Sequence, residues 1–244
     1  MPTSRPPAIS RPVPPKHHHR DIQGGAHRAA VLGVSDGLVT NVSLILGVAG
    51  ANAARGAVRL TGVAGILAGA FSMAAGEYVS MRAQRELLER ELEMEAVELR
   101  RSPASERAEL TQLYEARGVD PGIAGEMAGE MMRTPELALQ THAREELGVN
   151  PEQLGSPYQA AVSSAASFAI GAVVPLVPWF ITRGAVAVMA SLVLALIASV
   201  VIGTGLARLT GRSAVRSSIR QLFVTVAAAG VTFGAGKLLG AQVT

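Results

Sequence analysis

Five stretches of this chain, roughly 29–51, 60–81, 160–181, 185–207 and 222–239, are each close to the ~20 apolar residues that cross a bilayer. No other feature narrows the fold as far. Backbone polar groups in lipid must be satisfied within the segment, and a helix of this length does so. The apolar content is of an unusual kind: 49% of residues are hydrophobic but only 4% are aromatic. Ala, Gly, Val and Leu therefore carry it, and small residues let membrane helices approach closely. The pattern predicts an all-α membrane protein with five transmembrane helices, its partner the lipid bilayer. Pro175 and Pro178 should kink the third span or end it early. In the fifth span Gly and Ala dominate. Cysteine is absent, which excludes disulfides and thiolate metal sites.

The second span does not stop at the edge of its apolar run. From Ala68 to Leu92 the chain reads AGAFSMAAGEYVSMRAQRELLEREL, with no proline and no glycine after Gly76. One helix is expected to leave the apolar layer and continue into water to about Arg101. Between Arg82 and Glu152 lie sixteen of the nineteen acidic residues against nine arginines. The remainder is basic, but its cations are dispersed among hydrophobic runs, so no nucleic-acid partner is implied. Within the acidic block, Ser102-Pro103, Asp120-Pro121 and Thr134-Pro135-Glu136 each read as an N-cap followed by a first-turn proline. Gly148 reads as the C-terminal stop of the last of these helices. Three short helices should thus fold back beside the long one.

The resulting organisation is a disordered tail (1–27), spans one and two (28–81), a helical domain (82–156) and spans three to five (157–244). The tail lacks the apolar run of a signal peptide, and His17, His18 and His19 read as part of a solvated segment rather than a metal site. Arg55 and Arg59 occupy the first hairpin loop, and Arg183 alone marks the turn between spans three and four. The opposite side collects Arg20, Arg28, the charged block, Arg208, Arg212, Arg216 and Arg220. That bias places the N-terminus and the helical domain in the cytoplasm and the C-terminus outside. No organelle-targeting motif is visible, and a bacterial cytoplasmic membrane is the expected location.

Acidic residues at membrane depth draw attention because a central carboxylate costs ~2.5–3.5 kcal/mol on insertion scales. Asp36 is one, in SDGLVTNVSLILGVAG, with Thr40, Asn41 and Ser43 nearby. It reads as part of an ion or proton path, the alternative being an interfacial cap about eight residues from the cytoplasmic end. Glu77 is the other acid in a span, one turn from Met73 on the same face. A thioether with two carboxylates suits a borderline divalent cation such as Fe²⁺ or Mn²⁺, although Met73 taken alone is more often simple packing. In the domain, Glu95/Glu98 and Glu106/Glu109 are spaced i, i+3 on either side of the Ser102-Pro103 break, and His142/Glu146 are spaced i, i+4. Two helices meeting at an angle would gather such hard ligands for a divalent ion. Spacing alone leaves a solvated, salt-bridged face equally open. Four G-x-x-x-G pairs in the spans, Gly33/Gly37, Gly65/Gly69, Gly230/Gly234 and Gly236/Gly240, permit close helix contact. The spacing is unselective, since Gly125/Gly129 repeats it outside the spans.

SDGLVTNVSLILGVAGA, GAFSMAAGEYVSMRAQ, THAREELG and PYQAAVSSAASFAIGAVVPLVPWF together resemble the vacuolar iron transporter family over about Arg28 to Gly240. The resemblance implies a homodimer with five membrane helices per subunit and a second helix extended into a cytoplasmic metal-binding domain. It implies export of Fe²⁺, and often Mn²⁺, from the cytosol in exchange for protons, with no organic cofactor. Asp36 and Met73 then match metal-path residues, while Glu95, Glu98, Glu106, Glu109 and Glu146 match carboxylates of the domain. Plant members resemble a Met-Met pair where this chain has His142-Ala143, so His142 offers at most one imidazole there. Glu77 is assigned from its position alone. Two rival readings are a metal-gated channel or sensor and a di-iron carboxylate oxidase. The oxidase would need Glu-x-x-His pairs, but Gly24 and Leu139 precede His27 and His142. A transporter rather than an enzyme is therefore expected.

Overall fold

The computed structural model describes residues 25–150 and 155–240. The expected tail, with its histidine run, lies largely outside them. The described residues fold into helices α1 (Gly25–Gly50), α2 (Arg55–Arg101), α3 (Pro103–Ala116), α4 (Pro121–Met131), α5 (Pro135–Glu145), α6 (Pro157–Val173), α7 (Val177–Ile181), α8 (Gly184–Thr210) and α9 (Ala214–Gly240). Four of these, α1, α2, α8 and α9, are long and apolar enough to cross a membrane. The third expected span is not one helix but two, α6 and α7, neither of which reaches that length.

The prolines explain the break. Neither Pro175 nor Pro178 has an N–H to continue an α-helical ladder. A buried carbonyl left without a donor costs ~1–3 kcal/mol, and donors from other helices fill the places. Asn41 Nδ2 on α1 donates to Ala172 O at 2.6 Å. Ser191 Oγ on α8 donates to Pro175 O at 2.7 Å. Both Arg55 and Arg59 on α2 donate through Nε to Trp179 O at 2.8 Å, and through Nη2 to Phe180 O at 2.6 and 3.1 Å. The Arg59 guanidinium also sits 5.0 Å from the centre of the Phe180 ring. The α6–α7 break is thus pinned to three neighbouring helices.

Close packing depends on selected glycines. A methyl group at Gly37 would lie 2.0 Å from Phe168 O, and one at Gly171 would lie 2.0 Å from Val34 O, so α1 and α6 touch backbone to backbone. Gly236 makes the same approach to Gly47 O between α9 and α1. In contrast, a methyl at Gly230 or Gly234 would meet nothing within 4 Å. Helix α8 buries Ala187, Ser191, Ala195, Ser199, Gly203 and Ala207, a four-residue ladder of small side chains. Leu38, Val42 and Leu46 of α1 meet Ala195 and Ala229 to form the centre of the bundle.

Contacts at the two ends fix the order of passes. Near one end, Gly240 packs on Ala51 and Arg55 reaches Trp179. Near the other, Gln221 Nε2 donates to Ser35 Oγ at 2.8 Å, and the rings of Tyr78 and Tyr158 lie 5.2 Å apart. The charged half of α2, the start of α6 and the α8–α9 turn therefore emerge together.

Beyond Met81, α2 continues without interruption to Arg101, as expected. Arg82–Glu86 at 2.6 Å and Arg85–Glu89 at 2.7 Å are i, i+4 pairs on its charged surface, worth only a few tenths of a kcal/mol each. The three short helices start where the proline pairs place them. Asp120 accepts from Gly122 N and Ile123 N, and Thr134 Oγ1 accepts from Leu137 N. Ser102 departs from expectation, since its hydroxyl makes no capping bond. Its backbone serves both helices instead: the N–H donates to Glu98 O, and the carbonyl accepts from Ser105 N and Glu106 N. Gly148 takes the left-handed conformation (φ 65°) just beyond α5, as its position predicts. Leu110 and Tyr114 of α3 pack on Ala124 and Ala128 of α4 to give the domain its own small core.

Candidate functional site

The turn at Ser102 sends α3 back alongside α2 and sets the geometry of the acidic site. Glu95 and Glu98 come from the end of α2, Glu106 from the first turn of α3, His142 from the last turn of α5, and Glu146 caps α5. Donor atoms of Glu95, His142 and Glu146 all lie within 4.8 Å of one another, and so do those of Glu95, Glu98 and Glu106. Glu95 belongs to both groups. Glu95 and Glu106 are only 8% and 7% exposed and His142 is fully buried. Charged side chains are almost never this deep unless paired.

Glu109, expected in the same cluster, is exposed and belongs to neither group of donors. One turn beyond Glu106, it lies on the outer surface of α3, close enough to raise the proton affinity of Glu106.

The histidine is held between two carboxylates. His142 Nδ1 is 2.8 Å from Glu146 Oε1 and 3.1 Å from Glu95 Oε1. Only the Glu146 contact has hydrogen-bond geometry. Nε2, on the other side of the ring, is buried and without a hydrogen-bond partner among the described residues. Arg117 and Glu145 tie α3 to α5 beside this group.

Electrostatics follow from the crowding. Burial, then the charge of Glu146, push the Glu95 carboxyl up to about 7, against a partial offset from His142. Burial, then Glu109, also raise Glu106. Burial and like charge thus raise the proton affinity of Glu95 and Glu106. For Glu95 the folded pKa exceeds the unfolded value of 4.5, so its contribution to stability is whole below that pH and lost as pH climbs through about 7. A divalent ion reverses the balance, because it binds the ionised form and displaces the proton. Mn²⁺ affinity of the purified full-length protein should therefore rise about tenfold between pH 6 and pH 8, as ionisation of one such carboxyl predicts. Isothermal titration calorimetry in two buffers of different ionisation enthalpy would read both the affinity and the released proton. An affinity flat across that range would contradict the assignment.

The membrane half holds the second set of expected residues. Asp36 is exposed on the surface of a single chain, and Thr40 Oγ1 donates to its Oδ1 at 3.3 Å. Asn41 packs against Gly65 and Ile45 against Gly62, a register that sets Asp36 level with Ala70. Met73 is then within one turn of Asp36 in depth and Glu77 one turn further toward the domain. Both are half-buried on α2. Met73 and Glu77 share α2 with Glu95 and Glu98 of the acidic site, while Asp36 stands apart from that site on α1.

Sequence reasoning counted Asn41 only as a nearby oxygen. Its amide instead holds the α6–α7 break, and its Oδ1 is buried without a partner. The clue was available: two prolines in one span release carbonyls that need donors from elsewhere.

Comparison with known proteins identifies the family. The family model described as VIT family matches residues 27–237. The chain is similar to "Vacuolar iron transporter 1" of Eucalyptus grandis, with 31% identity over 86% of this chain and 85% of the relative. It is 36% identical to "Vacuolar iron transporter homolog 1" of Oryza sativa subsp. japonica over 87% of this chain and 73% of the relative. It is 40% identical to "Vacuolar iron transporter" of Acanthamoeba castellanii over 66% of this chain and 58% of the relative. With the family model spanning the bundle and the helical domain alike, the chain belongs to the VIT family.

Proposed function

We propose that the protein moves Fe²⁺, and also Mn²⁺, out of the cytosol across the membrane in exchange for protons. The observation that carries this reading is the Glu95–Glu98–Glu106–His142–Glu146 group, with Glu95, Glu106 and His142 buried, at the head of a helix whose other half is apolar. Oxygen and imidazole donors suit both ions, and relatives named as iron transporters favour iron. The arginine distribution supports a cytosolic domain. There the cluster collects metal and raises its concentration near the bundle. The ion then passes to Asp36, Met73 and Glu77, with two subunits facing each other along the exposed side of α1 and α2. Protons arriving from the far side compete for the same carboxylates and release the metal.

Metal uptake by proteoliposomes, with and without an imposed pH gradient, tests the coupling. Uptake that accelerates when the gradient drives protons opposite to metal is the expected result. Flux indifferent to the gradient would overturn exchange and leave a metal-gated channel. Oxygen consumption on adding Fe²⁺ would instead point to an oxidase.

A further inference from the structure

The α8–α9 turn carries a feature that metal transport does not use. A groove of about 770 Å³ opens there, lined by Leu206, Leu209, Thr210, Arg212, Ser213, Arg216, Ser217 and Arg220. Arg216 and Arg220 stand one turn apart at the start of α9, and Arg212 lies in the turn just before that helix, so the three cations line one groove. None of the three has a salt bridge or hydrogen bond from its side chain among the described residues. No acidic side chain lines the groove. Leaving three guanidinium groups together is electrostatically unfavourable until an anion joins them.

The apolar surroundings identify the kind of anion. Val215, Ile219 and Phe223 occupy the neighbouring stripe of α9 and are 69, 60 and 73% exposed. Leu209 on the facing helix is 54% exposed. A free phosphate would use the arginines and ignore these side chains. A lipid uses both, with the headgroup in the groove and acyl chains along the apolar stripe. The first-turn N–H groups of α9 add positive potential at the same place. The groove also lies at the end from which α2 leaves the bundle, where the arginine distribution locates the cytosolic leaflet.

We propose that the α8–α9 turn binds the phosphate headgroup of an anionic phospholipid. This rests on the membrane reading of α8 and α9 and is independent of metal transport. Basic pockets between membrane helices recognise such headgroups, and each arginine contributes about fivefold in affinity. The test uses the purified full-length protein in a zwitterionic detergent. Short-chain phosphatidylglycerol, phosphatidylcholine of equal chain length and inorganic phosphate are titrated separately, with adducts counted by native mass spectrometry. Phosphatidylglycerol should bind selectively. The Arg212→Gln/Arg216→Gln/Arg220→Gln variant should weaken it about 100-fold, and each single variant about fivefold. Arg183→Gln, at the opposite end of the bundle, should leave it unchanged. The single variants alter exposed side chains, so they report even where the triple variant does not fold. Equal binding of phosphatidylcholine, equal competition by inorganic phosphate, or retention of phosphatidylglycerol by every arginine variant would each overturn the assignment.

Discussion

Asp36→Ala is expected to stop metal flux while the purified protein still binds metal through its helical domain. Asp36 sits on the outward side of α1, level with Ala70 and within a turn of Met73. Its bond from Thr40 is long at 3.3 Å, and no cation stands beside it among the hydrogen bonds and salt bridges of the described residues. A carboxylate kept at that depth without a paired cation is costly, and a passing divalent ion is the partner that would offset the cost. If the crossing ion recovers the ~2.5–3.5 kcal/mol that a carboxylate costs at that depth, losing the carboxylate lowers flux by about 100-fold. Asp36→Asn keeps the volume and removes the charge, so it should fail nearly as badly. Calorimetry on the same variants should give unaltered binding at the Glu95 cluster, since the two groups are separate. Normal uptake by Asp36→Ala in proteoliposomes would remove Asp36 from the path.

Gly37→Ala should be among the most destabilising single-methyl changes in the chain. The added carbon would lie 2.0 Å from Phe168 O, a backbone atom with no rotamer to escape into. Helices α1 and α6 must then separate, and overpacking of this kind costs about 1–3 kcal/mol. Asn41 would lose its hold on Ala172 O as the helices part, which adds an unsatisfied carbonyl to the loss. Gly230→Ala is the matched control. Its methyl meets nothing within 4 Å, so helix propensity should favour it by up to about 1 kcal/mol. The single tryptophan, Trp179, is buried beside the α6–α7 break and reports thermal unfolding of both variants by fluorescence. A midpoint for Gly37→Ala equal to that of the parent would refute the close contact.

The same pair of glycines shows where sequence reading reached and where it stopped. Hydropathy and proline positions located α1, α2, α6, α7 and α8 to within about five residues, because membrane thickness and the missing proline N–H act locally; α9 starts at Ala214, ahead of the expected span, because its first turns carry Arg216 and Arg220. The uninterrupted α2 and the three prolines opening α3, α4 and α5 were legible for the same reason. Which G-x-x-x-G pair makes contact was not legible, because Gly33/Gly37 and Gly230/Gly234 have identical spacing and differ only in what faces them. In the domain, i, i+3 spacing brought Glu95, Glu98 and Glu106 forward but could not tell that α3 turns Glu109 outward. His142 was visible as a candidate, yet its insertion between Glu95 and Glu146 depends on how α5 docks, a long-range event that no local pattern encodes. The splitting of the third span was foreseen from its prolines; the donors on α1, α2 and α8 that stabilise the split were not.

Helix α2 runs for 47 residues without a hinge, a rod of about 70 Å at the usual rise per residue. Glu95 lies about 40 Å along that rod from Gly69, where α2 meets Phe168 inside the bundle. A rod pivoting by ~10° at Gly69 would carry Glu95 sideways by about 7 Å on that lever arm, more than the spread of the donor atoms it shares. Helix α5 packs on α2, α3 and α4, so the ligands it carries would ride with the rod. A change in the slant of the membrane segment would therefore swing the distal cluster as a unit, altering its place over the bundle while its ligand spacing is kept.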